Sequence, residues 1–461
     1  MTLKIIATLG PSSSNNYIIE NMILNNVSGF RINFSHGSQS EWNLYIKTVR
    51  KFEEKHGKYI ALIGDLTGRS IRIGLLSNEI EVKRNQQIKF KFENKSNGTF
   101  IPIPKRQFFK SIDIGDLILM DDGKISLKVE KASGLEAILR VISPGIIRSR
   151  KAVTIRGKEV DLPAISDYDI NCIKYAIKND FDYIALSHVR NKNDLKILRE
   201  IIESKDGSEI GLIAKIETIS SIKNLDEIIT NSDVILVARG DLGMQFPLEE
   251  VPWLQKSIIN SCHKHGKPVI IATQVLASMI NSPSPTRAEI TDIVTAISEG
   301  ADAIMLTGET AIGKYPIEAV KWLKRTIESY KNKITYPKQT PNTNNIKMKF
   351  AYSVVILAES LNSKLAVYTK KGRTAIRISK FKPKVKFYAS SNNIKTLRKL
   401  SIIWGIEPLK VSSNNYIEGV EETYRKLIEL NKLKNNETII LTYGFIEEDE
   451  HTIKIRKAKL K

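Results

Sequence analysis

The feature that most limits the fold of this chain is a repeated alternation of short β-branched runs with longer, helix-patterned stretches. Such alternation is typical of parallel βα units. Eight runs are found, and eight is the number of strands that closes a (β/α)8 barrel, or TIM barrel. The predicted strands cover residues 4–9, 29–34, 60–65, 183–189, 211–217, 234–239, 268–273 and 303–307.

The third and fourth runs are separated by far more sequence than one helix and its loops require. Residues 69–157 contain β-like stretches with turn signals at Asn97-Gly98, Asp122-Gly123 and Ser133-Gly134, which predicts an inserted all-β domain. Residues 336–345, rich in Pro, Asn and Thr, indicate a linker. The expected organisation is a catalytic barrel of 1–68 and 158–335, a β-barrel-like lid of 69–157, and a C-terminal α/β domain of 346–461 for regulation and assembly.

The overall composition, 42% hydrophobic and 26% charged residues, is typical of a globular protein. No apolar run approaches the roughly 18 residues of a membrane-spanning helix, so we expect no membrane association. The first residues enter a strand-like run without the regions of a signal peptide, and we therefore expect a cytoplasmic protein. The two cysteines, Cys172 and Cys262, have no spacing that suggests a disulfide framework or a zinc site.

The formal net charge of +21 could indicate nucleic-acid binding, attraction of anionic metabolites, or an unusual ionic environment. The lysines are spread along the whole chain and are not interleaved with aromatic residues as in a base-stacking surface. We interpret the charge as a generally basic surface and expect no dedicated nucleic-acid binding.

Polar residues end several of the predicted strands, where barrel enzymes place their chemistry. Arg31, Asn33 and Ser35 alternate with apolar residues and so share one strand face. Carboxylates from adjacent strand ends suit a hard divalent cation such as Mg²⁺, and a neighbouring lysine can stabilise a transferring phosphoryl group. Spacing alone leaves open a catalytic site or a set of strand-end salt bridges. The other strand-end residues are Lys215, Glu217, Asp241, Thr273, Thr307 and Glu309.

Short segments in a fixed order also resemble the signatures of one enzyme family. The first are TLGP at 8–11, RINFSHG at 31–37, MDDG at 120–123 and VDLP at 160–163. Further segments are AKIE at 214–217, ARGDLG at 238–243, KPV at 267–269, ATQ at 272–274, PTRAE at 285–289 and TGETA at 307–311. Together they make the chain resemble the pyruvate kinase family from Lys4 to about Ala319.

This resemblance implies a phosphotransferase that moves the phosphoryl group of phosphoenolpyruvate to ADP, giving pyruvate and ATP in the last step of glycolysis. It implies that Glu217 and Asp241 bind Mg²⁺ or Mn²⁺. The catalytic residues that it implies are Lys215, Thr273, Arg31 and Thr307, with the two threonines on the proton route and Thr307 in place of the more usual serine. The substrate-binding residues that it implies are Arg31, Lys215, Gly240, Asp241 and Thr273. The nucleotide-binding residues that it implies are Thr8, Pro11, Asn33, His36, Arg72 and Lys151.

The family also carries a monovalent cation, usually K⁺, and the matching groups here are Asn33, Ser35, Asp65 and the carbonyl of Leu66. Ser70 departs from the pattern, because relatives carry either glutamate, which accompanies K⁺ dependence, or lysine, which supplies the charge itself. The sequence therefore leaves K⁺ dependence open. His188 stands where phenylalanine is common, and we interpret it as a packing or hydrogen-bonding residue.

The C-terminal domain resembles the family more loosely. Residues 369–375 (TKKGRTA) are similar to a loop that holds the phosphate of sugar-phosphate effectors, and a helix N-terminus beside hydroxyls, Lys and Arg suits an anion. An ordinary basic turn is an equal alternative, because 442–461 lacks the glycine-rich loop that would complete a bisphosphate site. A mononucleotide, a sugar monophosphate or no effector all remain open. The candidate effector residues are Thr369, Lys370, Lys371, Gly372, Arg373 and Thr374.

A helix predicted to begin after Thr286, with a capping box to Glu289, carries apolar residues that must pack against something. In the family this region borders a subunit interface, so a homotetramer is the expected assembly. Two other functions compete with the kinase. One is another metal-dependent enolate enzyme, such as an aldolase or lyase, and the other is a catalytically silent relative that binds RNA or a protein.

Overall fold

The computed structural model describes residues 3–331, 333–336, 338, 340–341, 344–444 and 451–459. The chain begins with two βα units of a barrel. Apolar residues of both strands are buried, because strands of a parallel barrel are covered on both faces. The elements are β1 (Lys4–Leu9), α1 (Asn16–Leu24), β2 (Val27–Asn33), α2 (Gln39–His56) and β3 (Ala61–Leu66).

The region that follows β3 forms sheets separate from the barrel and contains one short helix. A six-stranded sheet has the order β13-β9-β10-β11-β6-β8, and two small pairs are β12-β5 and β4-β7. Gly98, Gly123 and Gly134 have positive φ at the predicted turns. The elements are β4 (Leu75–Leu76), β5 (Ile80–Val82), β6 (Gln87–Lys91), β7 (Lys95–Ser96), β8 (Ile101–Pro102), α3 (Arg106–Ser111), β9 (Leu117–Met120), β10 (Ile125–Ser133), β11 (Glu136–Ser143), β12 (Gly145–Ile147) and β13 (Val153–Ile155).

The barrel then resumes and closes through parallel pairing of its last strand with β1. Short 3-10 helices lie at Pro11–Ser13, Leu248–Glu250 and Ala277–Ile280. The elements are α4 (Asp167–Lys178), β14 (Tyr183–Leu186), α5 (Lys192–Glu203), β15 (Gly211–Ile216), α6 (Ile219–Lys223), α7 (Leu225–Thr230), β16 (Val234–Ala238), α8 (Arg239–Gln245), α9 (Val251–His265), β17 (Val269–Ala272), α10 (Arg287–Glu299), β18 (Ala303–Leu306), α11 (Gly308–Ala311) and α12 (Pro316–Tyr330).

The predicted (β/α)8 barrel is confirmed, with the order β1-β2-β3-β14-β15-β16-β17-β18 around the closed sheet. The fourth strand was predicted too long: it ends at Leu186, because the chain turns at His188, where φ is 54°. Part of the predicted linker, at 337, 339 and 342–343, lies outside the described residues. The domain boundaries proposed from the sequence remain a prediction.

The C-terminal region is a five-stranded sheet flanked by helices. Its order is β21-β20-β19-β22-β23, with β23 antiparallel at the edge. Helix α15 joins this region to the barrel, because Arg398 forms a buried ion pair with Glu53 at 2.7 Å. The elements are α13 (Ile346–Ser360), β19 (Lys364–Tyr368), α14 (Arg373–Lys380), β20 (Phe387–Ser391), α15 (Ile394–Ser401), β21 (Ile406–Lys410), α16 (Tyr416–Glu429), β22 (Thr438–Tyr443) and β23 (Ile453–Lys457).

The predicted capping box at the start of α10 is present: Thr286 Oγ1 accepts a hydrogen bond from the Glu289 amide at 3.2 Å. Ile293 and Ile297 of that helix are buried in the barrel core. Among the helices that the structure describes, none combines the length and the apolar composition needed to cross a bilayer.

Candidate active site

The residues that end the barrel strands meet the inserted region at a cavity of about 170 Å³. One wall comes from β13 and the residues around it, so the inserted region lies over the barrel mouth. Parallel strands of a barrel end at one rim, which brings residues distant in sequence together there. Among the predicted site residues, those that line this cavity are Arg31, Asn33, Ser35, Asp65, Arg72, Lys215, Glu217 and Asp241.

Lys215, near the end of β15, is the cation at the centre of the site. Its Nζ donates a hydrogen bond to Ser187 Oγ at 2.8 Å and lies 3.3 Å from Glu217 Oε2 and 3.7 Å from Asp65 Oδ2. Burial disfavours the charged amine, but Asp65, Glu217 and Asp241 outweigh that effect and raise the pKa of Lys215. The lysine is therefore a fixed positive charge at physiological pH.

Glu217 and Asp241 form the candidate metal site. Glu217 is 1% exposed, and its Oε1 accepts the His188 amide at 2.6 Å, while its Oε2 has no hydrogen-bond partner. Burial and the nearby Glu217 carboxylate raise the pKa of Asp241 to about 6. A buried carboxylate oxygen without a hydrogen bond, beside a second carboxylate, fits a divalent cation that would occupy the space between them. Within the described residues, no group of three or more His, Cys, Asp and Glu forms a fuller metal cluster.

Arg31, on β2, faces the same cavity and pairs with Asp65 on β3. Its Nη2 lies 2.6 Å from Asp65 Oδ2, and its Nη1 donates to Thr8 Oγ1 at 3.3 Å. Burial alone would raise the pKa of Asp65, but Lys215 and Arg31 lower it, so the carboxylate stays charged. The Arg31 guanidinium is thus held in place without losing all of its donors, as an anion-binding arginine requires.

Thr273 and Gly240 contact each other at the ends of β17 and β16. The Gly240 amide donates to Thr273 Oγ1 at 2.7 Å. A Cβ atom at Gly240 would lie 3.3 Å from that oxygen, so a side chain there would crowd Thr273. Thr273 and Gln274 both have positive φ, 68° and 52°, and such backbone is uncommon outside glycine.

Thr307 follows β18 and is held by Glu309. Its amide donates to Glu309 Oε2 at 2.7 Å, and its hydroxyl donates to the same oxygen at 3.3 Å. Neither Thr273 nor Thr307 is among the described residues that line the cavity. The structure places both at the barrel rim, beside the cavity and not in its wall.

The predicted nucleotide residues lie on the side where β1 and β2 end. Thr8 Oγ1 donates to the Leu306 carbonyl at 2.9 Å, and Pro11 begins a 3-10 helix. Burial, with Arg72 and Arg31 nearby, lowers the pKa of His36 to about 4. Arg72 donates to the Arg150 carbonyl, and its buried Nε has no hydrogen-bond partner. Lys151 is paired with Asp121 and not with a residue of the barrel.

The groups predicted for a monovalent cation are close together but already bonded to protein. Ser35 Oγ lies 3.1 Å from Thr67 Oγ1, and Asn33 Oδ1 accepts the Ser35 amide at 3.1 Å. The Leu66 carbonyl accepts the Ser187 hydroxyl at 2.8 Å. Ser70 lines the same cavity.

Ser187 and His188 line the cavity but were not among the predicted site residues. Ser187 links Lys215 to the Leu66 carbonyl, and the His188 amide holds Glu217. Burial lowers the pKa of His188 to about 4, so its imidazole is neutral at physiological pH. From the sequence we interpret His188 as a packing or hydrogen-bonding residue; in the structure its amide donates to Glu217 Oε1, and its Nδ1 lies 3.6 Å from the same oxygen. The positive φ at His188 has no signal in a strand-like run.

The candidate effector loop lies at the start of α14, far along the chain from these residues. The Gly372 amide donates to Thr369 Oγ1 at 3.0 Å, and Gly372 has a φ of 77°. Lys371 and Arg373 are exposed, Thr374 is buried, and Lys370 Nζ lies 4.7 Å from the centre of the Tyr416 ring. Of residues 442–461, in which the sequence shows no glycine-rich loop, 445–450 and 460–461 lie outside the described residues.

Comparison with known proteins agrees with the barrel and C-terminal α/β architecture. The family models "Pyruvate kinase, barrel domain" and "Pyruvate kinase, alpha/beta domain" match residues 1–320 and 349–455. The pyruvate kinase of Aeropyrum pernix is 38% identical over 98% of this chain and 98% of its own length. The pyruvate kinase of Thermotoga maritima is 37% identical over 96% of each chain. The crystal structure of pyruvate kinase from Pyrobaculum aerophilum superposes with a TM-score of 0.86 at 36% identity and covers 98% of this chain and 99% of that one. The chain belongs to the pyruvate kinase family of phosphotransferases.

Proposed function

We propose that the cavity at the barrel mouth transfers the phosphoryl group of phosphoenolpyruvate to ADP and then directs protonation of the enolpyruvate. The observation that carries this proposal is the grouping of Lys215, Arg31, Glu217 and Asp241 around one cavity. Two cations and two carboxylates there match the needs of phosphoryl transfer, in which the protein positions reactants and neutralises charge.

The two cations have different tasks in this proposal. Arg31 binds the phosphate of phosphoenolpyruvate, since its guanidinium offers several donors in one plane. Lys215 stabilises charge on the transferring phosphoryl group and on the enolate oxygen, because its amine is buried, protonated and aimed among acceptors. The Gly240 amide region and the Thr273 hydroxyl hold the substrate carboxylate, and their mutual hydrogen bond sets their separation.

Glu217 and Asp241 would hold the divalent cation, Mg²⁺ or Mn²⁺. When bound, that cation would supply positive charge to oxygens of the reacting groups. The His188 amide fixes Oε1 of Glu217, while Oε2 lies 3.3 Å from Lys215 Nζ. The loss of one carboxylate should therefore weaken cation binding more than it weakens the fold.

The nucleotide would bind on the side of Thr8, Pro11, Asn33, His36 and Arg72. Lys151 would reach its phosphates after leaving Asp121, and closure of the inserted region would exclude water from the reaction. After phosphoryl transfer, the enolpyruvate carbon takes a proton along a route that Thr273 and Thr307 line. The proton would pass through water held by these hydroxyls.

The second, monovalent cation is proposed not to be required. Arg31 already neutralises Asp65, which also lies 3.7 Å from Lys215 Nζ. Ser70 adds no negative charge that would call for a further cation.

The homotetramer, the anion effector at 369–374 and the cytoplasmic location also stay proposals. One relative, at 34% identity, is a plastidial pyruvate kinase of Arabidopsis thaliana.

The test is the formation of ATP and of pyruvate, measured separately, from phosphoenolpyruvate and ADP with Mg²⁺. Wild type should form both in equal amounts, and Glu217→Gln should lose activity by about 100-fold or more. Glu79→Gln, an exposed glutamate of the inserted region, is the matched control and should retain full activity. A wild type that forms no ATP, or a Glu217→Gln variant as active as the control, would refute the proposal.

A further inference from the structure

Glu309 is a buried carboxylate that joins the ends of two barrel strands. It lies on α11 with 1% of its surface exposed. One oxygen accepts the amide and the hydroxyl of Thr307, after β18, at 2.7 and 3.3 Å. The other oxygen accepts the amide of Leu276, after β17, at 2.9 Å. One side chain therefore fixes the spacing of the two segments that carry the hydroxyls of the proposed proton route.

The segment from Thr273 to Leu276 needs such support, because its backbone is strained. Two consecutive residues with side chains, Thr273 and Gln274, have positive φ. Arg239 holds this segment from one side, with Nη2 donating to the Thr273 and Gln274 carbonyls at 3.1 Å each. Glu309 holds it from the other side through the Leu276 amide.

The charge of Glu309 also sets the direction of the Thr307 hydroxyl. A carboxylate can only accept, so the hydroxyl proton points toward Glu309. The lone pairs of Thr307 Oγ1 then remain to accept a hydrogen bond from a water molecule. A glutamine could instead present its NH₂ group, which would donate to the Thr307 oxygen.

We propose that Glu309 is a positioning residue for protonation of the enolpyruvate carbon, acting directly on Thr307 and on Thr273 through residues 273–276. This inference rests on the proposed function. It adds that Glu309 matters mainly for the proton-transfer step, whereas Lys215 and its neighbours stabilise the charge of the phosphoryl-transfer step.

The experiment uses the full chain and measures two rates. The first is ATP formation from phosphoenolpyruvate and ADP. The second is exchange of the pyruvate methyl hydrogens for deuterium in D₂O with Mg²⁺ and ATP, in which a C–H bond breaks, the proton leaves, and a deuteron returns to the same carbon. Glu309→Gln should lower exchange by about 100-fold, as loss of a positioned proton-transfer group does, and ATP formation by less than about tenfold. Glu227→Gln, a half-buried glutamate of α7 that accepts the Lys192 amide, is the control and should change neither rate.

A double-mutant cycle separates positioning from a general loss of structure. Thr307→Ala should lower exchange by a factor similar to that of Glu309→Gln, and the double variant should lose less than the product of the two single losses. Thr307→Ser, which keeps the hydroxyl, should retain exchange. If Glu309→Gln does not fold, Glu309→Asp serves instead, because it keeps the charge but shortens the reach, with the same selective loss expected.

Parallel loss of both rates, unchanged exchange, or multiplied effects in the double variant would overturn the role of Glu309. Failure of the proposed function itself looks different, because wild type would then form no ATP. A wild type that forms ATP while Glu309→Gln loses only exchange supports both.

Discussion

The Nζ atom of Lys215 lies 3.3 Å from Oε2 of Glu217, two residues further along the chain where β15 ends. Residues two apart on a strand share one face, so both side chains reach the same cavity. The other Glu217 oxygen is held by the His188 amide. This arrangement keeps an ammonium and a carboxylate side by side and leaves Oε2 of Glu217 without a hydrogen bond.

The response of the activity to K⁺ tests the proposal that a chain with Ser70 needs no monovalent cation. Because Arg31 and Lys215 already compensate the Asp65 charge, we expect wild-type activity in tetramethylammonium chloride to lie within about twofold of that in KCl. Ser70→Glu places a new carboxylate in the cavity wall and should make activity depend on K⁺. Initial rates in the two salts at equal ionic strength measure this. Strong K⁺ activation of wild type would contradict the expectation.

The pH dependence of ADP affinity tests the environment of His36. Burial and the nearby arginines lower its pKa to about 4, so the side chain stays neutral from pH 8 down to pH 5.5. The pKa of His36 is lower in the folded protein than in the unfolded protein, so the residue favours the native state above pH 6.5. This contribution to the free energy of unfolding is lost as the pH falls from 6.5 toward 4. Equilibrium binding of ADP should show no His36 titration between pH 8 and 5.5. If ADP affinity changes near pH 6.5 and His36→Gln abolishes that change, His36 has an ordinary pKa and this expectation is wrong.

A substitution in the ion pair of Arg69 with Asp194 tests how much this pair stabilises the segment after β3. Both side chains are largely buried, and the pair has two contacts, at 2.6 and 2.8 Å. Asp194→Asn leaves a buried guanidinium without its counter-charge and should lower the free energy of unfolding by about 3 kcal/mol. Urea denaturation measures the effect, and Glu79→Gln, in an exposed pair with Arg148, is the control that should not change it. Equal stability of the two variants would contradict the assignment.

The barrel could be predicted from sequence because its strands are short, apolar and separated by helical stretches. The charged residues of the site could be predicted because strand ends of a barrel share one rim. Ser187 and His188 could not, since the run through Val189 continues to look like a strand, and only the positive φ at His188 turns its amide toward Glu217. The approach of β13 to the barrel cavity depends on how the inserted region sits on the barrel. Local sequence carries no information on that placement.

The most direct test of the account is the rate of ATP formation from phosphoenolpyruvate and ADP by Lys215→Met, compared with wild type and with Lys223→Met, an exposed lysine of α6. Removal of the buried charge at the centre of the site should reduce the rate by about 100- to 1000-fold, while Lys223→Met should match wild type. If Lys215→Met retains the wild-type rate, Lys215 does not stabilise the transferring phosphoryl group, and the proposed mechanism is wrong.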